Sequence, residues 1–222
     1  MHRVLFHALA IVSIATVLAC NVASATVALP DPLVDESLAP AKGTRTAVLA
    51  GGCFWGIQAV FNHVKGVTDV KAGYAGGSAD TAHYEIVSSG RTGHAESVRI
   101  KYDPSQITLG QLLKVFFSVA HDPTELNRQG PDTGTQYRSE IFCANEDQKR
   151  IAKAYIDQLN QAKVFRHTIA TVISVGRSFY EAEAYHQDYA EHHPTEPYIY
   201  INDLPKIASL KKHFPDLYVS KK

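Results

Sequence analysis

The stretch that most constrains this chain is Gly51-Gly52-Cys53-Phe54-Trp55-Gly56, which contains the only tryptophan and one of the three cysteines. Residues 46–50 before it are apolar and partly β-branched, which is typical of a buried strand. After it, Ile57, Val60 and other apolar residues recur at helical spacing. We therefore expect Cys53 at a strand-to-helix turn, where two glycines permit tight backbone geometry and the helix N-terminus favours the thiolate.

A lone cysteine can also be a small packing residue in a hydrophobic core. Here the flanking glycines and the adjacent aromatic residues Phe54 and Trp55 favour a reactive thiol over a structural one.

A second candidate is Glu96, which begins a stretch of alternating residues. Glu96, Val98, Ile100 and Tyr102 share one face, and polar residues occupy the other. A carboxylate on the inward face loses hydration, which raises its pKa and lets it hold a proton near neutral pH. An ion pair with an unidentified arginine is the alternative interpretation.

Residues 52–56 resemble the signature of the A-type peptide methionine sulfoxide reductases, which reduce the S epimer of methionine sulfoxide. The resemblance extends from about residue 46 to 218, with further motifs in the expected order. These are Gly73-Tyr74-Ala75-Gly76-Gly77, Thr92-Gly93-His94-Ala95-Glu96, Tyr102-Asp103-Pro104, His121-Asp122-Pro123, Gly134-Thr135-Gln136-Tyr137-Arg138-Ser139, Tyr185-His186-Gln187 and Pro205-Lys206-Ile207. Since strands and helices also interleave along the chain, we expect an α/β (α+β) fold. The resemblance implies a two-layer sandwich around a mixed central sheet.

The resemblance also assigns roles to residues. It implies that Cys53 attacks the sulfoxide sulfur and becomes a sulfenic acid, with Glu96 as the acid. Phe54 and Trp55 match the residues that enclose the substrate methyl group. Tyr84 and Tyr137 match the donors to the sulfoxide oxygen, and Asp132 matches the polar residue beside them.

Such an enzyme binds no cofactor and uses an external thiol reductant, which is thioredoxin-like or glutathione/glutaredoxin-like. Methionine sulfoxide in oxidised proteins or peptides is the expected substrate. We expect no metal site, because His186, His192 and His193 lack the i, i+4 spacing of known zinc helices. Relatives often carry resolving cysteines in a C-terminal tail, whereas residues 202–222 contain none.

Composition sets outer limits on the function. A chain of 222 residues with 45% hydrophobic content suits one domain, and we expect a monomer. The 22 basic and 22 acidic residues give zero formal net charge, which provides no basic surface for nucleic acid or anionic membranes.

Three segments are expected along the chain. Residues 1–25 are typical of a secretory signal peptide with a cleavage site at Ala23-Ser24-Ala25, so the protein is exported, to the periplasm or beyond. An alternative is lipidation at Cys20, which would attach the protein to a membrane. We predict that residues 26–43 form a flexible tether and that residues 44–222 form the catalytic domain.

Within the domain, we expect a strand over 67–72, a glycine turn over 73–77 and a loop and strand over 83–87. Thr108 and Gln111 resemble a capping box, and a loop without secondary structure follows over 121–136. The pattern predicts strands over 137–143 and 168–175 and helices after Asn145, over 181–191 and over 206–214.

The predicted strand 137–143 bears on Cys143. Six residues from Tyr137 at about 3.3 Å each place Cys143 roughly 20 Å from the site, too far for a disulfide with Cys53. We therefore expect direct reduction of Cys53 by an external thiol. Two other functions remain open, which are a thiol acyl hydrolase using Cys53 and His94 and a binding module that captures methyl sulfoxide groups without chemistry.

Overall fold

The computed structural model describes residues 29–220, and a mixed sheet lies at its centre. In sheet order the six strands are β7-β6-β1-β3-β2-β8, and all pairs are antiparallel except β6 and β7. Strands β4 and β5 form a separate hairpin. The strands are β1 (Arg45–Gly51), β2 (Val67–Ala75), β3 (Ala95–Tyr102), β4 (Arg128–Gln129), β5 (Asp132–Thr133), β6 (Ser139–Cys143), β7 (Val172–Val175) and β8 (Phe179–Glu181).

Helices cover one face of the sheet and enclose the main hydrophobic core. Leu49 and Val98 of the sheet pack in this core with Ile57, Leu113 and Tyr155 of the helices. The helices are α1 (Phe54–Asn62), α2 (Tyr84–Val87), α3 (Leu109–Val115), α4 (Glu146–Gln161), α5 (Tyr189–His192) and α6 (Leu204–His213). Single π-helical turns, Phe116–Ala120 and Ile199–Asp203, follow α3 and precede α6. The expected α/β sandwich around a mixed sheet is confirmed.

Register brings the catalytic candidates to one edge of this sheet. Gly51 at the end of β1 pairs with Ser139 at the start of β6. On the other side of β1, Leu49 pairs with Val98, so β3 also begins at this edge. Because α1 starts shortly after β1 ends, its N-terminus lies above the same edge.

Helix caps agree with the sequence patterns. The Thr108 side chain accepts from the Gln111 N–H and the Gln111 side chain accepts from the Thr108 N–H, which completes the capping box. Asn145 likewise caps α4 through the Gln148 N–H. Among the described residues, none of the helices is both long and apolar enough to cross a membrane.

Several local predictions were wrong where long-range contacts decide the backbone. Strand β2 continues through Ala75, into the expected glycine turn. Residues 84–87 form a helix, and 121–136 contain the β4–β5 hairpin. Strand β7 covers only the end of 168–175. The expected helix 181–191 is replaced by the end of β8, a 3₁₀ turn and the short α5.

Tyr137 was also misplaced, because it ends the 3₁₀ turn Thr135–Tyr137 and β6 starts at Ser139. Cys143 ends β6 and packs in the main core. Along this strand, about 13 Å separate Cys143 from Ser139, which pairs with Gly51.

The described part of the segment expected as a flexible tether, residues 29–43, packs against the domain. Pro30 O accepts from the Tyr155 hydroxyl at 2.8 Å, and Leu29 is 3% exposed. Asp35 accepts from the Gly110 N–H at 2.9 Å, and Glu36 from the Leu109 N–H at 3.1 Å. These contacts could not be read from a segment without periodicity. The predicted signal peptide and Cys20 lie outside the described residues.

Candidate active site

Cys53 occupies the N-cap position of α1. Gly52 and Gly56 permit the backbone turn and the close packing on either side of it. Gly52 has φ of 103°, which favours glycine, and a Cβ there would lie 2.6 Å from the Gln129 side chain. Gly56, in the first turn of α1, has no room for a side chain because a Cβ would lie 2.1 Å from Asp203 Oδ1. The strand–turn–helix predicted around Cys53 is therefore confirmed.

The resting Cys53 thiol is protonated, contrary to the expectation from its helix position alone. Its pKa is raised well above the usual value, first by burial and then by the nearby carboxyl groups of Glu96, when it is ionised, and Asp203. The Trp55 backbone amide and the Lys206 ammonium act in the opposite direction. Burial outweighs the helix N-terminus here because a thiolate without water or a full counter-charge is costly.

Glu96 lies beside this thiol with its side chain inward, as predicted. It is 2% exposed, and its Oε2 accepts a hydrogen bond from the Phe54 N–H at 3.1 Å. Burial raises the Glu96 pKa from 4.5 to about 8, and the nearby charge of Asp132 acts in the same direction. The Phe54 N–H lowers the pKa but does not cancel the loss of hydration. Glu96 is therefore a carboxylic acid, able to give a proton, at neutral pH.

Phe54 and Trp55 begin α1 and form an aromatic wall next to Cys53. Trp55 stacks on Tyr189 with ring centroids 4.0 Å apart and an interplanar angle of 12°. Its Nε1–H donates to His186 Nδ1 at 3.2 Å, which places the His186 proton on Nε2. The Phe54 and His186 ring centroids are 5.0 Å apart. These contacts fix an apolar surface suited to a methyl group.

Three tyrosines surround the thiol and the acid. Burial raises the pKa values of Tyr84 and Tyr137, and Glu96 and Cys53 raise them further when they are ionised. Tyr198 donates from its hydroxyl to Asp132 Oδ2, and burial followed by the charge of Cys53 raises its pKa further. All three hydroxyls consequently stay protonated at neutral pH, and those of Tyr84 and Tyr137 are available as hydrogen-bond donors, whereas that of Tyr198 already donates to Asp132.

The structure thus brings together the seven site residues that the sequence predicted. The expected residues are Cys53, Phe54, Trp55, Tyr84, Glu96, Asp132 and Tyr137. Five further residues at this site have no role predicted from the sequence. They are His186, Tyr189, Tyr198 and the ion-paired Asp203 and Lys206. His186 and Lys206 stand in motifs quoted above, whereas Tyr198 in an aromatic-rich stretch gave no distinguishing signal.

His94 does not form a nucleophile–base pair with Cys53. Its Nδ1 accepts from the Gly77 N–H at 3.2 Å, and its Nε2 lies 2.9 Å from Ser78 O. Both ring nitrogens are thus used to shape the adjoining glycine loop. This geometry removes the base that the acyl hydrolase alternative requires.

The arrangement combines a soft nucleophile, a neutral acid, an apolar wall and hydroxyl donors around one point. Oxygen transfer from a sulfoxide needs the nucleophile and the acid, because sulfur must be attacked while its oxygen is protonated, and the wall and the donors are suited to hold the methyl group and the oxygen. A site that only bound methyl sulfoxides would need neither Cys53 nor a proton on Glu96.

Comparisons with known proteins agree with this chemistry. Residues 45–218 match the family model described as peptide methionine sulfoxide reductase. A protein from Mesorhizobium japonicum named peptide methionine sulfoxide reductase MsrA 2 is 61% identical over 188 residues, 85% of this chain and 95% of that protein. One of the same name from Synechocystis sp. is 51% identical, covering 85% of this chain and 89% of its own.

Two solved structures resemble the fold. Reduced Mxr1 from Saccharomyces cerevisiae has a TM-score of 0.62 and 36% identity, covering 74% of this chain and 92% of the other. Methionine sulfoxide reductase A from Corynebacterium diphtheriae has a TM-score of 0.58 and 36% identity, covering 69% and 77% of the two chains.

Proposed function

This chain belongs to the peptide methionine sulfoxide reductase family and reduces methionine sulfoxide, and we propose that Cys53 is the nucleophile and Glu96 the general acid that reduce the S epimer. The observation that carries this proposal is the hydrogen bond from the Phe54 N–H to the Glu96 carboxyl, because it holds the carboxyl beside Cys53 at the start of α1. Because its pKa is raised to about 8, Glu96 holds the proton that the sulfoxide oxygen needs.

The step transfers one oxygen atom between two sulfurs. The Cys53 sulfur attacks the substrate sulfur and forms a transient S–S bond while Glu96 protonates the sulfoxide oxygen. This S–S bond then breaks as the oxygen moves to Cys53, which becomes a sulfenic acid. The substrate S–O bond breaks, a Cys53 S–O bond forms, and methionine leaves. The Cys53 sulfur is oxidised by two electrons and the methionine sulfur is reduced by two. The proton lost by the thiol balances the one that Glu96 gives.

Substrate geometry follows from the walls of the site. The methyl group lies against Phe54 and Trp55, while the oxygen points to the Tyr84 and Tyr137 hydroxyls. With the methyl and oxygen assigned to different walls, only one sulfoxide configuration leaves the rest of the methionine directed to solvent. This fit supports selection of one epimer, free or within oxidised proteins, and the resemblance of residues 52–56 to the A-type reductases makes it the S epimer.

Reduction of the sulfenic acid uses thiols from outside the chain. A first thiol attacks the Cys53 sulfur and releases water, and a second thiol breaks the resulting disulfide, restoring Cys53. Family members rely on thiol reductants, and we assign the role here to a thioredoxin-like or glutathione/glutaredoxin-like donor. Cys143 is buried at the far end of β6 and is not placed to resolve Cys53.

The cellular role proposed is repair of oxidised proteins after export. It rests on the apolar residues 4–19 and the small residues at 23–25, which support cleavage of a signal peptide after Ala25 and a periplasmic or secreted enzyme. Lipidation at Cys20 is the variant of this proposal that would hold the enzyme at a membrane.

A matched pair of cysteine variants tests the chemistry. The purified protein is given a peptide containing S-epimer methionine sulfoxide, with dithiothreitol or thioredoxin as the reductant. We expect Cys53→Ser to abolish reduction and Cys143→Ala to retain turnover close to wild type. Peptide mapping after one turnover without reductant should find a sulfenic acid at Cys53, trapped by dimedone. Turnover by Cys53→Ser would contradict the assigned nucleophile, and a Cys53–Cys143 disulfide would contradict the direct recycling.

A further inference from the structure

A buried ion pair lies against the first turn of α1. Asp203 ends the π-helical turn before α6 and is 0% exposed, and Lys206 Nζ lies 3.1 Å from its Oδ1. A Cβ at Gly56 would lie 2.1 Å from Asp203 Oδ1 and 2.7 Å from Lys206 Nζ. Both charges therefore contact the helix backbone at the position that glycine leaves open.

This contact places the pair near the Cys53 thiol. Cys53 and Gly56 are three residues apart at the beginning of α1, and positions i and i+3 of a helix are neighbours on one face. Asp203 opposes ionisation of Cys53, whereas Lys206 favours it. The two charges thus act on the thiol in opposite directions.

Stability alone does not account for this pair. Desolvation of two charges usually offsets their attraction, so a buried ion pair contributes little to the free energy of unfolding. Here the pairing is also incomplete, because Asp203 Oδ2 is buried and has no hydrogen-bond partner among the described residues. An incompletely satisfied carboxylate next to a nucleophile is better explained by an effect on that nucleophile.

We propose that the Asp203–Lys206 ion pair sets the balance between thiol and thiolate at Cys53, with Asp203 holding the resting thiol and Lys206 stabilising the thiolate that attacks. Both are positioning residues that act through Cys53, and the inference rests on the proposed role of Cys53 as the nucleophile.

Other titratable groups face Cys53, and they must titrate alike in every variant that is compared; Glu96 loses its proton above about pH 8 in all of them. Below about pH 8, Glu96 keeps its proton, and raised pKa values keep the nearby tyrosine hydroxyls neutral. Variants of the ion pair leave all of these groups in place. The groups are Glu96 from β3, Tyr84 from α2, Tyr137 from the 3₁₀ turn, Asp132 from β5 and Tyr198 before the π-helical turn.

The test measures ionisation of Cys53 without substrate. Cys53 is alkylated with iodoacetamide from about pH 6 to 11.5, and the rate at its own peptide, which rises with the thiolate fraction, is followed by mass spectrometry. Asp203→Asn should lower the midpoint of the rate profile by roughly one pH unit or more, because the cation then acts alone. Adding Lys206→Met to Asp203→Asn should raise the midpoint again by a similar amount. Lys212→Met, which removes an exposed lysine from the same helix, should leave it unchanged.

Opposite shifts are the decisive result, since a merely structural role would move both variants in one direction. The inference would be overturned if Asp203→Asn and the double variant had the same midpoint. This includes the case in which both midpoints move from the wild-type value in one direction and by the same amount. Should Asn not fold at this buried position, Asp203→Ser takes its place in both variants. The profile does not depend on turnover, so failure of the inference is distinguishable from failure of the proposed reductase chemistry.

Discussion

Glu96 shows how one residue gains its chemistry from its position on a strand. Its inward face removes water from the carboxyl, and its register beside α1 gives it the Phe54 N–H as a partner. We expect Glu96→Gln to lower the rate of sulfoxide reduction by about 10²–10⁴-fold, as for loss of a general acid. Wild-type activity should fall as the pH rises through about 8, where Glu96 loses its proton.

Steady-state rates from about pH 6 to 9.5 check this prediction. The carboxamide of Glu96→Gln can still accept from the Phe54 N–H, so the fold at the start of α1 is retained. Glu181→Gln, an exposed substitution in the same sheet, serves as the control and should behave as wild type. A Glu96→Gln variant with wild-type rate and the same alkaline decline would reduce Glu96 to a structural residue.

At the scale of elements, α3 depends on a chain segment distant in sequence. Asp35 accepts from the Gly110 N–H at 2.9 Å and from the Thr108 hydroxyl, so it satisfies a backbone donor in the first turn that the capping box leaves unpaired. We expect Asp35→Ala to lower the free energy of unfolding by about 0.5–2 kcal/mol, as for loss of a helix cap.

Urea unfolding at neutral pH measures this effect. Asp31→Ala is the matched control, because Asp31 lies on the same segment and its side chain is 87% exposed in an ion pair with Lys114. Such exposed pairs contribute little, so Asp31→Ala should lie within about 1 kcal/mol of wild type. If Asp35→Ala were as stable as Asp31→Ala, the docking of this segment would not support α3.

For the whole molecule, two buried groups with opposite pKa shifts set the pH range of greatest stability. Burial raises the pKa of Glu96 from 4.5 to about 8. Between these two pH values the folded state binds more protons than the unfolded state, so the free energy of unfolding falls as the pH rises. Burial lowers the pKa of His121 from 6.5 to about 3, so stability falls as the pH decreases between these values. The two effects oppose each other between about pH 4.5 and 6.5.

We therefore expect stability to be greatest between about pH 4.5 and 6.5 and to decline on both sides. The midpoint of urea unfolding from about pH 3.5 to 8.5 tests this, and Glu96→Gln should flatten the decline above about pH 6.5. A midpoint for the wild type that rises between about pH 6.5 and 8 would contradict the effect assigned to Glu96.

The sequence predicted the parts of this molecule that local rules determine. The capping box at Thr108, the inward face of Glu96 and the turn at Cys53 follow from neighbours within a few residues. Residues 84–87 were mistaken for a strand, since this single helical turn is held by Glu183, which accepts from the Tyr84 N–H at 3.0 Å. Tyr198 was missed for the same reason, because its role depends on contact with Asp132.

The docking of residues 29–43 has a consequence for how far an anchored form of the enzyme would reach. A flexible linker from a lipidated Cys20 to residue 43 would extend to about 80 Å, at about 3.5 Å per residue. With Leu29 and Pro30 packed on the domain, the chain from Cys20 to residue 29 can span at most about 30 Å. An enzyme anchored in this way would reach only a shallow layer above the bilayer, and its substrates would be oxidised proteins that come to that layer.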